Sequence, residues 1–248
     1  MRPVEDMAVR FDRVSKSIGE TDILEDISFD VPRGTAFSIL GRRGAGKTIT
    51  LKLSIGLLKP DLGRILLNNQ DITALDHPGL LHVRKSTGFV FQTAALFDSI
   101  SVAENVAFPL RCATGIPESK LRDRVQQQLD QVGLGEERGK MPIDLSFGKR
   151  KLLGFARALA SDPPILLLDD PWCGVDSVTS ALIRELLRSL KERRGTTLLI
   201  AANRVADVRD FCEQLAVLDG GRMIACGSPN EVERSDHPVV RQLFLQDL

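Results

Sequence analysis

Apolar residues change their spacing along this chain, and the changes divide it. Up to about residue 35 they alternate with polar ones: Val9 and Phe11, then Ile27, Phe29 and Val31. That is the period of half-buried antiparallel strands, closed by the turn Pro32-Arg33-Gly34. The alternation then gives way to a continuous run, Ala36-Phe37-Ser38-Ile39-Leu40, the mark of a strand covered on both faces. Similar runs recur at Ile165 to Leu168, Leu198 to Ala202 and Leu215 to Leu218, with helical stretches between them. Together they predict a mostly parallel α/β sheet. Between residues 93 and 159 the strand pattern disappears. Leu121, Val125, Leu129 and Val132 predict a helix there, with Pro117 before it and Gly133 after it. The segment reads as a helical insertion between core portions 1–92 and 160–235. A tail of residues 236–248 carries Val240, Phe244 and Leu248 at i, i+4 and i+8. This stripe either packs on its own domain or grips a partner.

Length and charge narrow the class. At about 150 residues per domain, 248 residues make one domain and a tail. The 33 Lys+Arg balance 33 Asp+Glu, so a nucleic acid is not expected as partner. With 43% hydrophobic residues the chain is too apolar for intrinsic disorder. No apolar run approaches the roughly 18 residues of a membrane span, and Met1-Arg2-Pro3-Val4-Glu5-Asp6 holds no secretory core. A soluble, unexported chain is expected. Cys112, Cys173, Cys212 and Cys226 form no CxxC pair and are expected as free thiols.

The candidate chemistry begins directly after the first buried run. Gly41-Arg42-Arg43-Gly44-Ala45-Gly46-Lys47-Thr48 fits GxxxxGK[ST] and leads into a helical pattern through Leu51, Leu53 and Ile55. Glycines let successive backbone N–H groups curl around phosphate oxygens; Lys47 neutralises the terminal phosphates, and the Thr48 hydroxyl suits Mg²⁺. Such a loop needs carboxylates at another buried strand end, and Ile165-Leu166-Leu167-Leu168-Asp169-Asp170 supplies two. Asp169 is expected to hold the metal and Asp170 to orient or deprotonate an attacking water.

Further segments follow in a fixed order: Phe89-Val90-Phe91-Gln92, Leu145-Ser146-Phe147-Gly148-Lys149, the helix with Phe155-Ala156-Arg157-Ala158-Leu159, Asp169-Asp170-Pro171, and Gly174-Val175-Asp176. With the phosphate loop they resemble an ABC-type ATPase cassette over about residues 8–232. More narrowly, Phe91 to Asp98, Val102 to Arg111 and the tail Val239 to Phe244 are similar to the ATPase of the Mla-type phospholipid transporters. The resemblance implies a P-loop NTPase fold: a RecA-like, mostly parallel sheet with an N-terminal antiparallel β subdomain and an inserted helical subdomain. It implies ATP bound through Gly41 to Thr48, Ile49 and Ile18, and Mg²⁺ held by Thr48, Gln92 and Asp169. Gln92, Asp170, Asn203 and Lys47 would be catalytic. Ser146, Phe147, Gly148 and Lys149 would meet the γ-phosphate bound by a second ATPase subunit, with Asp176 in the dimer loop. Its implied partners are that subunit, an integral-membrane permease and an MCE-domain lipid carrier, on the cytoplasmic face of the inner membrane.

The basic run Lys149-Arg150-Lys151, at a helix start where cations oppose the macrodipole, is expected to face phosphate rather than only solvent. Ala94, Ala95, Leu96, Phe97 and Phe108 either line a groove for the permease or pack inside the helical subdomain.

Five positions depart from the family pattern. Asp170 replaces a glutamate, Asn203 a histidine, Phe147 a glycine, Lys149 a neutral amide, and Ile18 an aromatic that stacks on adenine. These changes predict phosphate binding retained and hydrolysis slowed. A nucleotide-sensing or structural subunit, and the ATPase of a non-lipid importer, are the alternatives. A non-transport cassette of ribosomes or DNA repair would normally carry two cassettes or a coiled-coil insertion, and neither pattern occurs here.

Overall fold

A computed structural model describes residues 7–114 and 117–245. The alternating N-terminal segment forms β1 (Met7–Ile18) and β2 (Thr21–Pro32), paired antiparallel in register Phe11↔Phe29. Two strands hidden in the sequence by mixed polarity, β4 (Leu62–Leu67) and β5 (Gln70–Asp71), complete this sheet in the order β2-β1-β4-β5. Pro32-Arg33-Gly34 does not close the hairpin; it carries the chain from β2 into β3 (Ala36–Gly41) of a second sheet.

That second sheet has six strands, in the order β10-β9-β3-β8-β7-β6. β6 (Thr87–Val90), β7 (Ile165–Asp169), β8 (Thr197–Ala202), β3 and β9 (Gln214–Asp219) run parallel. β10 (Arg222–Gly227), antiparallel to β9, closes one edge. Every residue of β3, β7 and β8 is buried, as their continuous apolar runs require. The two sheets share a core in which Phe29 stacks on both Phe11 and Phe37, centroids 4.6 and 5.1 Å apart.

α1 (Lys47–Ser54) follows β3, and α2 (His77–Arg84) precedes β6. Between β6 and β7 the described residues hold helices and no strand: α3 (Val102–Thr114), α4 (Glu118–Gln131) and α5 (Phe147–Leu159) pack on one another. The bounds of α4 follow its apolar face, with Leu121, Val125 and Leu129 buried. α5 is capped by Ser146, whose hydroxyl accepts from the Lys149 amide at 3.3 Å. α6 (Ser177–Arg194) is capped by Asp176 and ends at Gly195 in the left-handed region, φ +64°.

α7 (Pro229–Glu233) and α8 (Pro238–Leu245) end the described chain. α8 buries Val240 and Leu243 in its own domain's core, and Phe244 is only partly buried against it. The stripe therefore runs i, i+3, not i, i+4; Leu248 lies outside the described residues. No helix among the described residues is long and apolar enough to cross a membrane.

Candidate functional site

Three parallel strand ends build the site. β8 lies between β3 and β7, so the residues after Gly41, Asp169 and Ala202 emerge side by side. They border a cavity of about 800 Å³, lined among others by Gly41, Arg42, Asp170, Trp172 and Asn203.

The loop from Gly41 to Lys47 depends on glycine at two points. A Cβ on Gly41 would stand 2.4 Å from the Leu218 carbonyl oxygen. Gly46 sits at φ +96°, where a Cβ would meet Leu24 Cδ2 at 2.6 Å. This left-handed residue immediately precedes α1, whose first amides are free to bind an anion. Lys47 is buried and folds back over the loop, its Nζ donating to the carbonyls of Gly41 at 2.6 Å and Arg42 at 2.9 Å. Burial pulls this ammonium below the ordinary lysine value, opposed by the charges of Asp170 and Asp169. Thr48 Oγ1 donates to Asp169 Oδ1 at 2.8 Å.

Asp169 and Asp170 are both buried, and burial pushes both carboxyls above the usual range. For Asp169 the Thr48 hydrogen bond opposes the rise; for Asp170 the charges of Lys151 and Lys47 do. Asp170 holds a left-handed backbone, φ +44°, a conformation that costs a non-glycine residue about 1–3 kcal/mol and recurs at functional sites. Its Oδ2 accepts a hydrogen bond from Asn203 Nδ2. Two residues far apart in sequence thus form one polar pair at the mouth of the loop.

The arrangement fits a nucleoside triphosphate with magnesium. Both hydrogen bonds of Lys47 go to carbonyls of its own loop, so its charge is available to a phosphate. Thr48 and Asp169 already sit together and offer the hard oxygen donors that Mg²⁺ prefers. Among the described residues no group of three or more His, Cys, Asp or Glu could hold a metal.

The remaining candidate residues lie around this centre. Gln92 is exposed, its amide donating to Cys173 Sγ at 3.5 Å. Ile18, at the end of β1, is half exposed and available to a flat ligand. Ser146 and Phe147 are exposed at the start of α5, Gly148 is buried, and the Phe147 ring lies against Gly174, where a Cβ would stand 3.0 Å from it. Asp176 caps α6, accepting from the Thr179 amide at 2.8 Å and hydroxyl at 2.9 Å; both contacts hold its carboxyl below the usual range. Arg42 donates to Gln242 of α8, which brings the tail against the phosphate loop. Arg43, Gly44 and Ile49 complete the loop and the first turn of α1, with Ala45 buried beneath.

The basic run on α5 does not form one phosphate-facing surface. Lys149 pairs with Glu137. Lys151 is 1% exposed and points into the domain, its Nζ donating to the carbonyls of Gln92 at 2.5 Å and Asp170 at 3.2 Å. A helix turns about 100° per residue, so three consecutive cations cannot share a face. Sequence adjacency concealed this; the available signal was the helical spacing that puts Lys151 on one face with the apolar Phe155, four residues on, and that face proves buried.

Of the apolar groove candidates, Ala94 is interior, while Ala95, Phe97 and Phe108 join Phe89 and Phe91 around a surface cavity of about 400 Å³. Arg157, missed in the sequence, holds this loop: it donates to the carbonyls of Ala94 and Ala95, both left-handed at φ +63° and +47°.

A phosphate loop between β3 and α1, carboxylates on a neighbouring strand end, an antiparallel sheet on one flank and an inserted helical unit define an ATP-binding cassette ATPase. The chain belongs to the ABC transporter family, whose pattern it matches over residues 24–173. It is 38% identical over 238 residues to the probable ribonucleotide transport ATP-binding protein mkl of Mycobacterium leprae, covering 96% of this chain and 69% of that protein. It is 36% identical over 233 residues to the methionine import ATP-binding protein MetN of Rhodopseudomonas palustris, covering 94% of this chain and 62% of that protein. Among solved structures, the dimeric post-hydrolysis ATP-binding cassette MJ0796 bound to ADP and Pi superposes with TM-score 0.84 at 30% identity, covering 89% of this chain and 98% of that one. The cbiO1 subunit of the cbiONQ transporter of Clostridium perfringens gives TM-score 0.82 at 30% identity, covering 98% and 100%.

Proposed function

We propose that this chain is the nucleotide-binding subunit of an ABC transporter that binds MgATP between two subunits and hydrolyses it slowly. The observation that carries this reading is the pair formed by Asp170 and Asn203 beside an intact phosphate loop. Lys47 and the amides at the start of α1 bind the phosphates, and Thr48 and Asp169 hold Mg²⁺ with Gln92 nearby. The metal would neutralise charge on the terminal phosphates. In hydrolysis a water oxygen bonds to the γ-phosphorus, the bond to ADP breaks, and Asp170 takes the water's proton. Its carboxylate is one methylene shorter than a glutamate and is already engaged by an amide. Asn203 donates a hydrogen bond but carries no positive charge and shuttles no proton. Ser146, Phe147, Gly148 and Lys149 would face the nucleotide of the second subunit, with Asp176 in the loop between the two sites. Residues 1–235 act as one cassette, the insertion at 93–159 carrying the contacts to other subunits.

The cargo we propose is phospholipid, exchanged through an integral-membrane permease and an MCE-domain carrier, with the chain peripheral on the cytoplasmic face of the inner membrane. The segments Phe91 to Asp98, Val102 to Arg111 and Val239 to Phe244 support this, and the groove at Phe97 and Phe108, centroids 4.8 Å apart, offers a permease helix an apolar seat. Its similarity to MetN favours a second reading, a methionine-type importer without a lipid carrier. Affinity purification of the tagged chain from detergent-extracted membranes separates them. An MCE-domain protein beside the permease supports the first; a permease with no such protein supports the second; recovery of the chain alone from the soluble fraction refutes both.

A further inference from the structure

Lys151 is a buried lysine, held against Gln92 and Asp170, that the reaction described above leaves without a task. A buried ammonium is costly unless hydrogen bonds and opposite charges surround it. Here both are present. Its Nζ donates to the carbonyl oxygens of Gln92 and Asp170, at 2.5 and 3.2 Å. Those carbonyls belong to two different segments: the loop leaving β6 and the strand end leaving β7. Lys151 reaches them from a third, α5, whose N-terminus carries Ser146 and Phe147. The carboxylates of Asp170 and Asp169 and the thiol of Cys173 face the same ammonium.

Charge arithmetic gives the contact a purpose. The cradle encloses two carboxylates, Asp169 and Asp170, and two ammoniums, Lys47 and Lys151. Asp169 also feels Lys52 and would hold the metal, whereas Asp170 has only Lys151 and Lys47, so without Lys151 it would compete with the phosphates for Lys47.

We propose that Lys151 is a positioning residue that ties the Gln92 loop to the Asp170 strand end from α5 and supplies Asp170 with its counter-charge, leaving Lys47 to the phosphates. A movement of α5 then shifts Gln92 and Asp170 together. The proposal rests on the reading of this cradle as an ATP site.

The test compares full-length wild type, Lys151→Met and Lys151→Arg by MgATP affinity, kcat and KM for phosphate release, and the emission of Trp172. That residue, the sole tryptophan, stands two positions after Asp170. Lys151→Met is expected to bind MgATP within about threefold of wild type yet lose at least tenfold in kcat at unchanged KM. Its Trp172 response to MgATP should shrink to the response seen with MgADP. Lys151→Arg, which keeps charge and donors, should recover at least half of both signals. Unchanged kcat and emission in Lys151→Met, or equal losses in both variants, would overturn the proposal. Should Lys151→Met not fold, Lys151→Gln decides by the same measures: at least threefold loss of kcat supports it, and no loss refutes it. Failure of wild type to bind MgATP would instead bring down the ATP-site reading, and this proposal with it.

Discussion

Lengthening Asp170 should accelerate the enzyme. Asp170→Glu adds one carbon, about 1.5 Å of reach, and the cavity of about 800 Å³ in front of Asp170 has room for it. A misplacement of about 1 Å at a reacting group costs roughly 10²-fold, or about 2.7 kcal/mol of barrier. One effect works against the gain. Asn203 donates to the Asp170 carboxylate, and a hydrogen bond to a charged group is worth about 1.5–3 kcal/mol, so the amide will hold the longer side chain back. Asp170→Glu alone should therefore raise kcat by only about tenfold. Adding Asn203→His replaces the amide with a group able to carry charge and to stabilise the transition state, bringing the total to about 10²-fold or more. The assay is steady-state phosphate release at saturating MgATP, with Lys47→Ala as the blank. Values of kcat within twofold of wild type in both variants, with MgATP affinity intact, would refute the argument that carboxylate reach and the Asn203 contact limit the rate.

Three further outcomes follow from the geometry. Gly46→Ala should destabilise the domain by about 2–5 kcal/mol, the sum of a left-handed alanine and overpacking against Leu24. Gly44→Ala, at φ +83° with nothing within 4 Å of a Cβ, should cost only about 1–2 kcal/mol; urea unfolding of both variants checks the difference. Ile18→Trp should tighten ATP binding by about 5- to 150-fold, the worth of one base stacked on an aromatic ring, read by nucleotide titration. Asp61 accepts from Lys16 Nζ and the Ser17 amide, which hold its carboxyl below the usual range. Its folded value lies below the unfolded one of about 3.9, so its contribution is present above that pH and lost as pH falls through the folded value. Asp61→Ala should lower the urea midpoint at neutral pH, and the difference from wild type should shrink as the pH falls through the folded value.

What the sequence revealed divides by locality. The phosphate loop lies within eight contiguous residues, Gly41 to Thr48, and its strand and helix flank it directly, so local spacing was enough. The buried runs of β3, β7 and β8 were equally plain because both faces are covered. Edge strands were not. β10 carries the short apolar run Met223 to Cys226 yet buries none of its residues fully, and β4 opens on the exposed Leu62-Gly63-Arg64, so neither pattern matches its burial. Nor does sequence order give strand order. The resemblance put Asn203 and Asp170 in one site, but only the placement of β8 beside β7, which spacing along the chain does not give, brings them into contact. The inward turn of Lys151 was lost for a related reason: composition groups it with Lys149 and Arg150, while the helix separates them. The five departures at Ile18, Phe147, Lys149, Asp170 and Asn203 were legible as residue types. Their consequences depend on contacts, such as Phe147 against Gly174 and Lys149 against Glu137, that only the folded chain shows.

Slow turnover by an otherwise complete ATP site is the central claim, and one measurement addresses it most directly. Phosphate release by the purified wild-type chain is followed at saturating MgATP, with binding confirmed in the same samples and Lys47→Ala as the blank. Asp170, Asn203 and the altered Phe147 and Lys149 predict binding together with turnover below about 0.1 s⁻¹, some 10²-fold under the rate of about 10 s⁻¹ typical of enzymes. Turnover of several per second would contradict it.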